Sequence, residues 1–159
     1  MQSDSPTRVY EFRTRFHAPL PFVYAWCTDY SPEDPQLERD AFQRRIISKT
    51  RRRAVYEDLY DQPDGWMWSH MEVDFRPPNR WHAEALGSHR TWSIDYELSD
   101  LGDGSTELHF VGSRRATSLG RNPPKAEMER ELLQMWKNLT RALEREYQGT
   151  RKDAGKRRR

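Results

Sequence analysis

His70, Glu72 and Asp74 are the residues best spaced for chemistry. They alternate, so if residues 66–76 form a strand all three side chains leave the same face. An imidazole flanked by two carboxylates could move a proton or hold a metal ion. The opposite face of the same stretch carries Met67, Ser69, Met71, Val73 and Phe75, a better core set, which turns His70, Glu72 and Asp74 toward water. Trp66 and Trp68 share parity with His70 and pull the other way. Charged residues on an antiparallel strand ordinarily mark its wet side, so a solvated face is the expectation and no catalytic residue is assigned.

Other chemical signals are thin. His17, His82 and His109 have the parity of outer faces in their own segments and read as surface histidines. There is no Cys pair and no His-Glu-x-x-His, and Cys27 sits in an apolar stretch where an inert buried thiol is the ordinary case. Gly102-Asp103-Gly104 and Ser118-Leu119-Gly120 lack the strand–glycine–helix pattern that cradles phosphate. No metal and no cofactor are implied. Arg44-Arg45, Lys49 and Arg51-Arg52-Arg53 could attract an anion, but a solvated hairpin edge that resists aggregation is the expected role.

The elements that must position these groups are mostly strands. Tyr10, Phe12, Thr14, Phe16 and Ala18 alternate with polar residues, as do Trp92, Ile94, Tyr96 and Leu98, and then Leu108, Phe110 and Gly112. Less regular strands are expected near 41–50, 53–61, 66–76 and 80–87. Turn residues separate them at Pro63-Asp64-Gly65, Pro77-Pro78-Asn79, Gly87-Ser88 and Gly102-Asp103-Gly104. Residues 19–29 start with proline and place Leu20, Val23 and Trp26 three apart, which fits a short helix, and a second helical turn is expected in Pro32–Arg39. Residues 122–149 read as one long amphipathic helix. Asn122 is its cap candidate, Gly149 its stop, and Met128, Leu132, Met135, Trp136, Leu139 and Leu143 its apolar stripe. At about 1.5 Å per residue it can cross a small domain. One strand, two short helices, six strands and a long helix describe an α+β sandwich: an antiparallel sheet whose apolar face is covered by the terminal helix.

The 159 residues suit a single domain. One cysteine precludes an internal disulfide, and the N-terminus lacks a basic n-region and an apolar h-region, so a soluble, cytoplasmic protein without a membrane span is expected. Apolar residues make up 35% and charged residues 33% of the chain, with nineteen aromatics, so apolar surface is concentrated in rings. Residues 151–159 carry six Lys or Arg and one Asp, a net +5, which leaves −3 for the rest. Residues 1–7 and 150–159 are expected to be disordered extensions around a domain at 8–149. The basic run is the only feature that could reach nucleic acid, and a solubility tail is its simpler role.

The run His17-Ala18-Pro19-Leu20-Pro21-Phe22-Val23-Tyr24-Ala25-Trp26-Cys27-Thr28-Asp29-Tyr30 resembles the strand-to-helix entry of the START-like (SRPBCC) superfamily. Gly104-Ser105-Thr106-Glu107-Leu108 resembles its last hairpin, and the closing helix completes the same element order over roughly residues 8–148. The group includes polyketide cyclases and dehydratases, lipid-transfer domains, coenzyme-Q-binding proteins and the birch-pollen allergen type. The resemblance implies a helix-grip fold, a curved seven-stranded sheet around the C-terminal helix, with an apolar cavity between them. It implies no single activity, since catalysts and carriers share this scaffold.

Within that frame Tyr10, Phe12, Tyr24, Trp92, Tyr96, Phe110, Leu132, Met135, Trp136 and Leu139 are the cavity candidates, although ordinary core packing also accounts for most of them. Tyr10, Tyr24 and Tyr96 would supply hydroxyl groups to orient a ligand's polar end. The expected function is to bind or carry a hydrophobic or aromatic small molecule of lipid, quinone or polyketide-like chemistry. The alternatives are a cyclase- or dehydratase-like enzyme working through cavity polar groups, and an RNA- or ribosome-associated module. Oligomeric state is not legible.

Overall fold

The computed structural model describes residues 5–34, 42–63 and 65–157. Seven strands and two helices follow one another as β1 (Arg8–Phe16), α1 (Leu20–Cys27), β2 (Phe42–Lys49), β3 (Arg53–Gln62), β4 (Gly65–Arg76), β5 (Arg80–Gly87), β6 (Arg90–Asp100), β7 (Thr106–Ala116) and α2 (Lys125–Lys156). All neighbours are antiparallel and the order across the sheet is β1-β7-β6-β5-β4-β3-β2, a meander from β2 to β7 that β1 closes on the far side. Gly102 and Gly104, both at φ +79, make the left-handed bends of the β6–β7 turn, a conformation that costs other residues a Cβ clash. The expected second helical turn in Pro32–Arg39 falls mainly on residues 35–41, which lie outside the described residues.

Inward parity runs as the alternation predicts. Tyr10, Phe12 and Phe16 of β1 are buried, as are Val73 of β4, Trp81 and Ala83 of β5, Ile94 and Leu98 of β6, and Leu108 and Phe110 of β7. Trp136 and Leu143 of α2 close this core from above. The helix lies along β1, and its glutamates serve the exposed backbone of that edge strand. Glu129 Oε1 accepts from the Glu11 N–H at 3.0 Å, and Glu144 Oε1 accepts from the His17 N–H at 2.8 Å. Two edge donors that could template strand addition are thus taken up. Trp26 of α1 donates its indole N–H to Glu146 at 2.7 Å, tying the short helix to the long one.

Two helix boundaries differ from the sequence expectation. Asn122 does not cap α2: its Oδ1 accepts from Arg114 at 2.7 Å and its Nδ2 donates to the Pro6 carbonyl at 2.7 Å, while Pro124 occupies the N-cap position without a side-chain bond. At the other end α2 continues through Gly149 to Lys156, so the basic segment starts as exposed helix rather than as an extended tail. A mid-helix glycine costs only about 1 kcal/mol and no proline follows it, while Arg151, Lys152 and Lys156 are cations at the helix end where the macrodipole favours them. Residues 151–157 are exposed throughout. Deleting residues 151–159 should therefore leave the thermal midpoint nearly unchanged; a loss of several degrees on a melting curve would show that they are docked. Among the described residues no helix is long and apolar enough to cross a membrane.

Candidate functional site

The helix rests on β1 and leaves the inner face of β3–β6 partly uncovered, and a cavity of about 740 Å³ opens there. Met128, Leu132, Met135, Trp136 and Leu139 form its helical wall, one side of the α2 stripe. Met71, Ala85, Ile94, Trp92, Tyr96 and Phe110 form its floor. A Cβ at position 112 would come within 2.8 Å of the Trp92 ring, so Gly112 lets that indole lie flat against β7 and shapes the floor.

Seven of the ten cavity candidates read from the sequence line this space: Trp92, Tyr96, Phe110, Leu132, Met135, Trp136 and Leu139. Three do not. Tyr10 is buried with its hydroxyl donating to the Pro123 carbonyl at 2.9 Å, and its ring packs 5.7 Å from that of Trp92. Phe12 stacks on Phe110 at 4.7 Å within the solid core. Tyr24 faces a separate surface depression beside Phe75 and Pro77, edge-on to Trp81, with its hydroxyl on the Arg80 carbonyl. Tyr10 and Phe12 share inward parity with the lining strand residues but lie where α2 or a neighbouring ring has already filled the space, and Tyr24, on α1, is turned to the other side of that helix.

The polar part of the cavity comes from residues outside that set. Arg44 was expected on a solvated edge, yet its side chain is only 7% exposed and points inward beside Phe42 and Ile46. It sits directly across the β2–β3 ladder from Asp58, itself 3% exposed, and grips it with two bonds, Nε to Oδ1 at 2.8 Å and Nη2 to Oδ2 at 2.9 Å. A third bond runs from Nη1 to Asp34 at 2.6 Å, and the guanidinium lies 4.2 Å over the Tyr56 ring. Burial works against the Arg44 charge, but Asp58 and its neighbours more than offset it and hold the guanidinium charged. Burial likewise pushes the phenols of Tyr30 and Tyr56 up, so both stay protonated hydrogen-bond donors at neutral pH. The Cys27 thiol at the same wall is pushed up by burial and stays protonated too.

Five strands from β2 across the sheet, Arg114 of β7 is 5% exposed and meets a different environment. Its Nη1 donates to the Arg121 carbonyl at 2.6 Å and to Asn122 Oδ1 at 2.7 Å, and its guanidinium lies 5.6 Å from the Trp92 ring. Burial, together with the nearby charges of Arg90 and Arg121, lowers this group to about 10.

His70, Glu72 and Asp74 lie on the convex face, outside the cavity. His70 sits 3.7 Å from Glu57 and 3.6 Å from Glu72, and Arg53 pairs with Glu72 and approaches Asp74. Trp66, at 58% exposure, and Trp68 project from the same side as His70, which resolves their conflicting parity: the rings face solvent and Met67 and Val73 face the core. Replacing His70 or Glu72 by Ala should change stability by no more than about 0.5 kcal/mol in urea titrations, and a loss of several times that would place them in a structural network. Among the described residues no group of three or more His, Cys, Asp or Glu could hold a metal ion.

His82 is also on the outer face, with Nδ1 2.8 Å from Asp95 and Nε2 2.6 Å from Glu84. Burial pulls its imidazole down, but the two carboxylates outweigh it and raise the group above its ordinary value. Its stabilising contribution is therefore complete below the unfolded value of about 6.5 and is lost as pH rises through the higher folded value. Comparing the wild type with His82→Gln should show a small stability advantage in acid that disappears above this window; an advantage that grew with pH would reverse the assignment. The effect is small because Asp95 and Glu84 are exposed and screened.

A curved seven-stranded antiparallel sheet gripping one long helix over an internal cavity defines a helix-grip α+β protein. No family model and no curated protein matches the chain. Solved structures do. The Zhui aromatase/cyclase from Streptomyces sp. R1128 superimposes with a TM-score of 0.68 at 12% identity, covering 90% of this chain and 94% of that one. A START superfamily protein from Mycobacterium smegmatis gives 0.66 at 13% identity over 89% and 98% of the two chains. Ara h 8.0201 gives 0.65 at 14% identity over 91% and 99%. At these identities the likeness is one of fold: the chain has the START-like helix-grip fold that the run from His17 to Tyr30 and the element order imply.

Proposed function

We propose that this protein binds and carries a hydrophobic or aromatic small molecule, of lipid, quinone or polyketide-like chemistry, in the cavity between the sheet and α2. The observation that carries the reading is the cavity itself. At about 740 Å³ it has the size of a small-molecule site, and its walls are aromatic and aliphatic with a few charged groups set among them. Trp92, Tyr96, Phe110 and Trp136 present aromatic surface to this space, and an apolar ligand would pack against it. The test is a thermal-shift series against fatty acids, sterols, quinones and aromatic polyketides, with native mass spectrometry of protein purified from its own host. At least one class should raise the midpoint by an amount that grows with the logarithm of its concentration. If no class shifts the midpoint and no mass is retained, the carrier reading fails.

A cyclase- or dehydratase-like enzyme is the second reading, and one observation favours it. Arg44, Tyr30 and Tyr56 bring a held cation and two protonated phenols to one part of the cavity wall, donors that could polarise the carbonyl oxygens of a bound polyketone. The solved structure of an aromatase/cyclase on this fold adds to that reading. Turnover of an aromatic polyketone that Tyr56→Phe abolishes with the fold intact would promote the enzyme over the carrier; binding without turnover leaves the carrier.

A further inference from the structure

The two buried arginines of the cavity are treated differently by the chain. Arg44 has Asp58 and Asp34 within hydrogen-bond distance. Arg114 is as deeply buried, but the oxygens that it meets, the Arg121 carbonyl and the Asn122 amide oxygen at Nη1 and the nearby Tyr10 hydroxyl, are all neutral. Its Nε is sealed from solvent and has no hydrogen-bond partner. Among the described residues no carboxylate forms an ion pair with it. Among the described residues the charges that disfavour its own are those of Arg90 and Arg121. Arg114 lies directly opposite Trp92 in the β6–β7 ladder and Arg90 is two residues from Trp92 on the same inner face, so the two guanidinium groups are diagonal neighbours, and Arg121 adds a third positive charge.

A buried cation without a counter-ion is among the costliest groups a fold can hold, and the usual resolutions are a carboxylate partner or relocation to the surface. Here the described residues supply neither, and the group lies on the wall of the cavity between the sheet and α2. Anchoring the loop that leads into α2 explains the two bonds at Nη1, but a neutral donor would serve that purpose without the charge. The two acidic groups of the lining nearest α2 do not answer it: Glu146 is engaged by Trp26, and Glu131 is exposed at the rim.

We propose that Arg114 is the anion-recognising end of the cavity, and that the cognate ligand is an amphipathic carboxylate whose hydrophobic body lies along Trp92, Tyr96 and Trp136. The carboxylate supplies the missing counter-charge, and its planar pair of oxygens matches the guanidinium better than any neutral head group. The Arg44–Asp58 pair already has its counter-charge within the protein. This inference rests on the cavity being a small-molecule site, and it names the class of molecule.

The test uses 4-(1-pyrenyl)butanoate and its primary amide, which share one fluorescent body and differ in charge. Wild-type protein should bind the acid about tenfold more tightly than the amide at neutral pH and low salt. Arg114→Met should bring the ratio of the two affinities to within about twofold of unity. Equal affinities in the wild type, a measurement that needs no variant, would overturn the proposal, as would a preference that survives in a folded Arg114→Met protein. If the amide binds and the acid gains nothing, the cavity reading stands and only its anionic end is lost. If neither molecule binds, and the thermal-shift series is also silent, both fall together.

Discussion

Asp58→Ala is expected to destabilise the protein by about 3–5 kcal/mol, the loss that follows when one member of a buried ion pair is removed and the other stays behind. Arg44 would remain 7% exposed with, among the described residues, only Asp34 to neutralise it, and Asp34 is itself 25% exposed and comes from the turn after α1 rather than from the sheet. The Tyr56 ring face at 4.2 Å adds a cation–π contact that is weak beside a lost bidentate carboxylate. The measurement is urea unfolding at neutral pH. The midpoint should fall while the slope stays constant, so that the change reads as stability and not as a different unfolded state. A second substitution, Arg44→Met on the Asp58→Ala background, should recover most of the loss, because it removes the orphaned charge and leaves an apolar stem of similar length. A single-mutant loss below about 1 kcal/mol would mean that water from the cavity already screens the pair as it screens surface bridges.

The same pair shows how much of the site was legible beforehand. Arg44 shares parity with Phe42 and Ile46, and Asp58 shares it with Tyr56 and Tyr60. The β2–β3 hairpin, with a register shift between Ile46 and Ser48, puts Arg44 opposite Asp58. The period-two pattern therefore placed both on the apolar face, and only the assumption that a run of arginines is a wet edge turned Arg44 outward. Parity was the stronger signal, as it was for His70 against Trp66. The helix stripe and the ring-bearing strands were legible for the same reason, since a two- or 3.6-residue period survives whatever the tertiary context. Which inward residues face a void and which face another side chain is not periodic. It depends on α2 lying over β1, which fills the space around Tyr10 and Phe12 and leaves Tyr96 and Trp92 open. The fates of Asn122 and Gly149 were equally out of reach of local pattern. Asn122 is drawn off by Arg114 and Pro6, and Gly149 lacked the following proline that would have made it a stop.

Trp136→Ala is the substitution that weighs packed core against cavity. The indole is 7% exposed and meets three rings, Phe12 and Phe16 at 6.4 Å each and Tyr96 at 5.9 Å, while its remaining side borders the open space. A fully enclosed tryptophan would cost about 3–5 kcal/mol on truncation. Contacts that were never made on the cavity side cannot be lost, so the expected value is about 3 kcal/mol, the low end of that range. Its Nε1 is buried without an acceptor, so Trp136→Phe should cost under about 1 kcal/mol: the lost ring area is partly offset by removing an unsatisfied donor. That orphaned N–H and the open ring face are two sides of one condition, an incomplete core that a ligand can complete. Hydrophobic ligands should accordingly protect the wild type against heat in proportion to the logarithm of their concentration, and protect Trp136→Ala less, because the alanine removes one wall of the site. Melting curves of the three proteins with and without ligand read all of this at once. A Trp136→Ala loss at the top of the packed-core range, together with no ligand effect on any of the three, would leave a solid α+β domain and no cavity to explain.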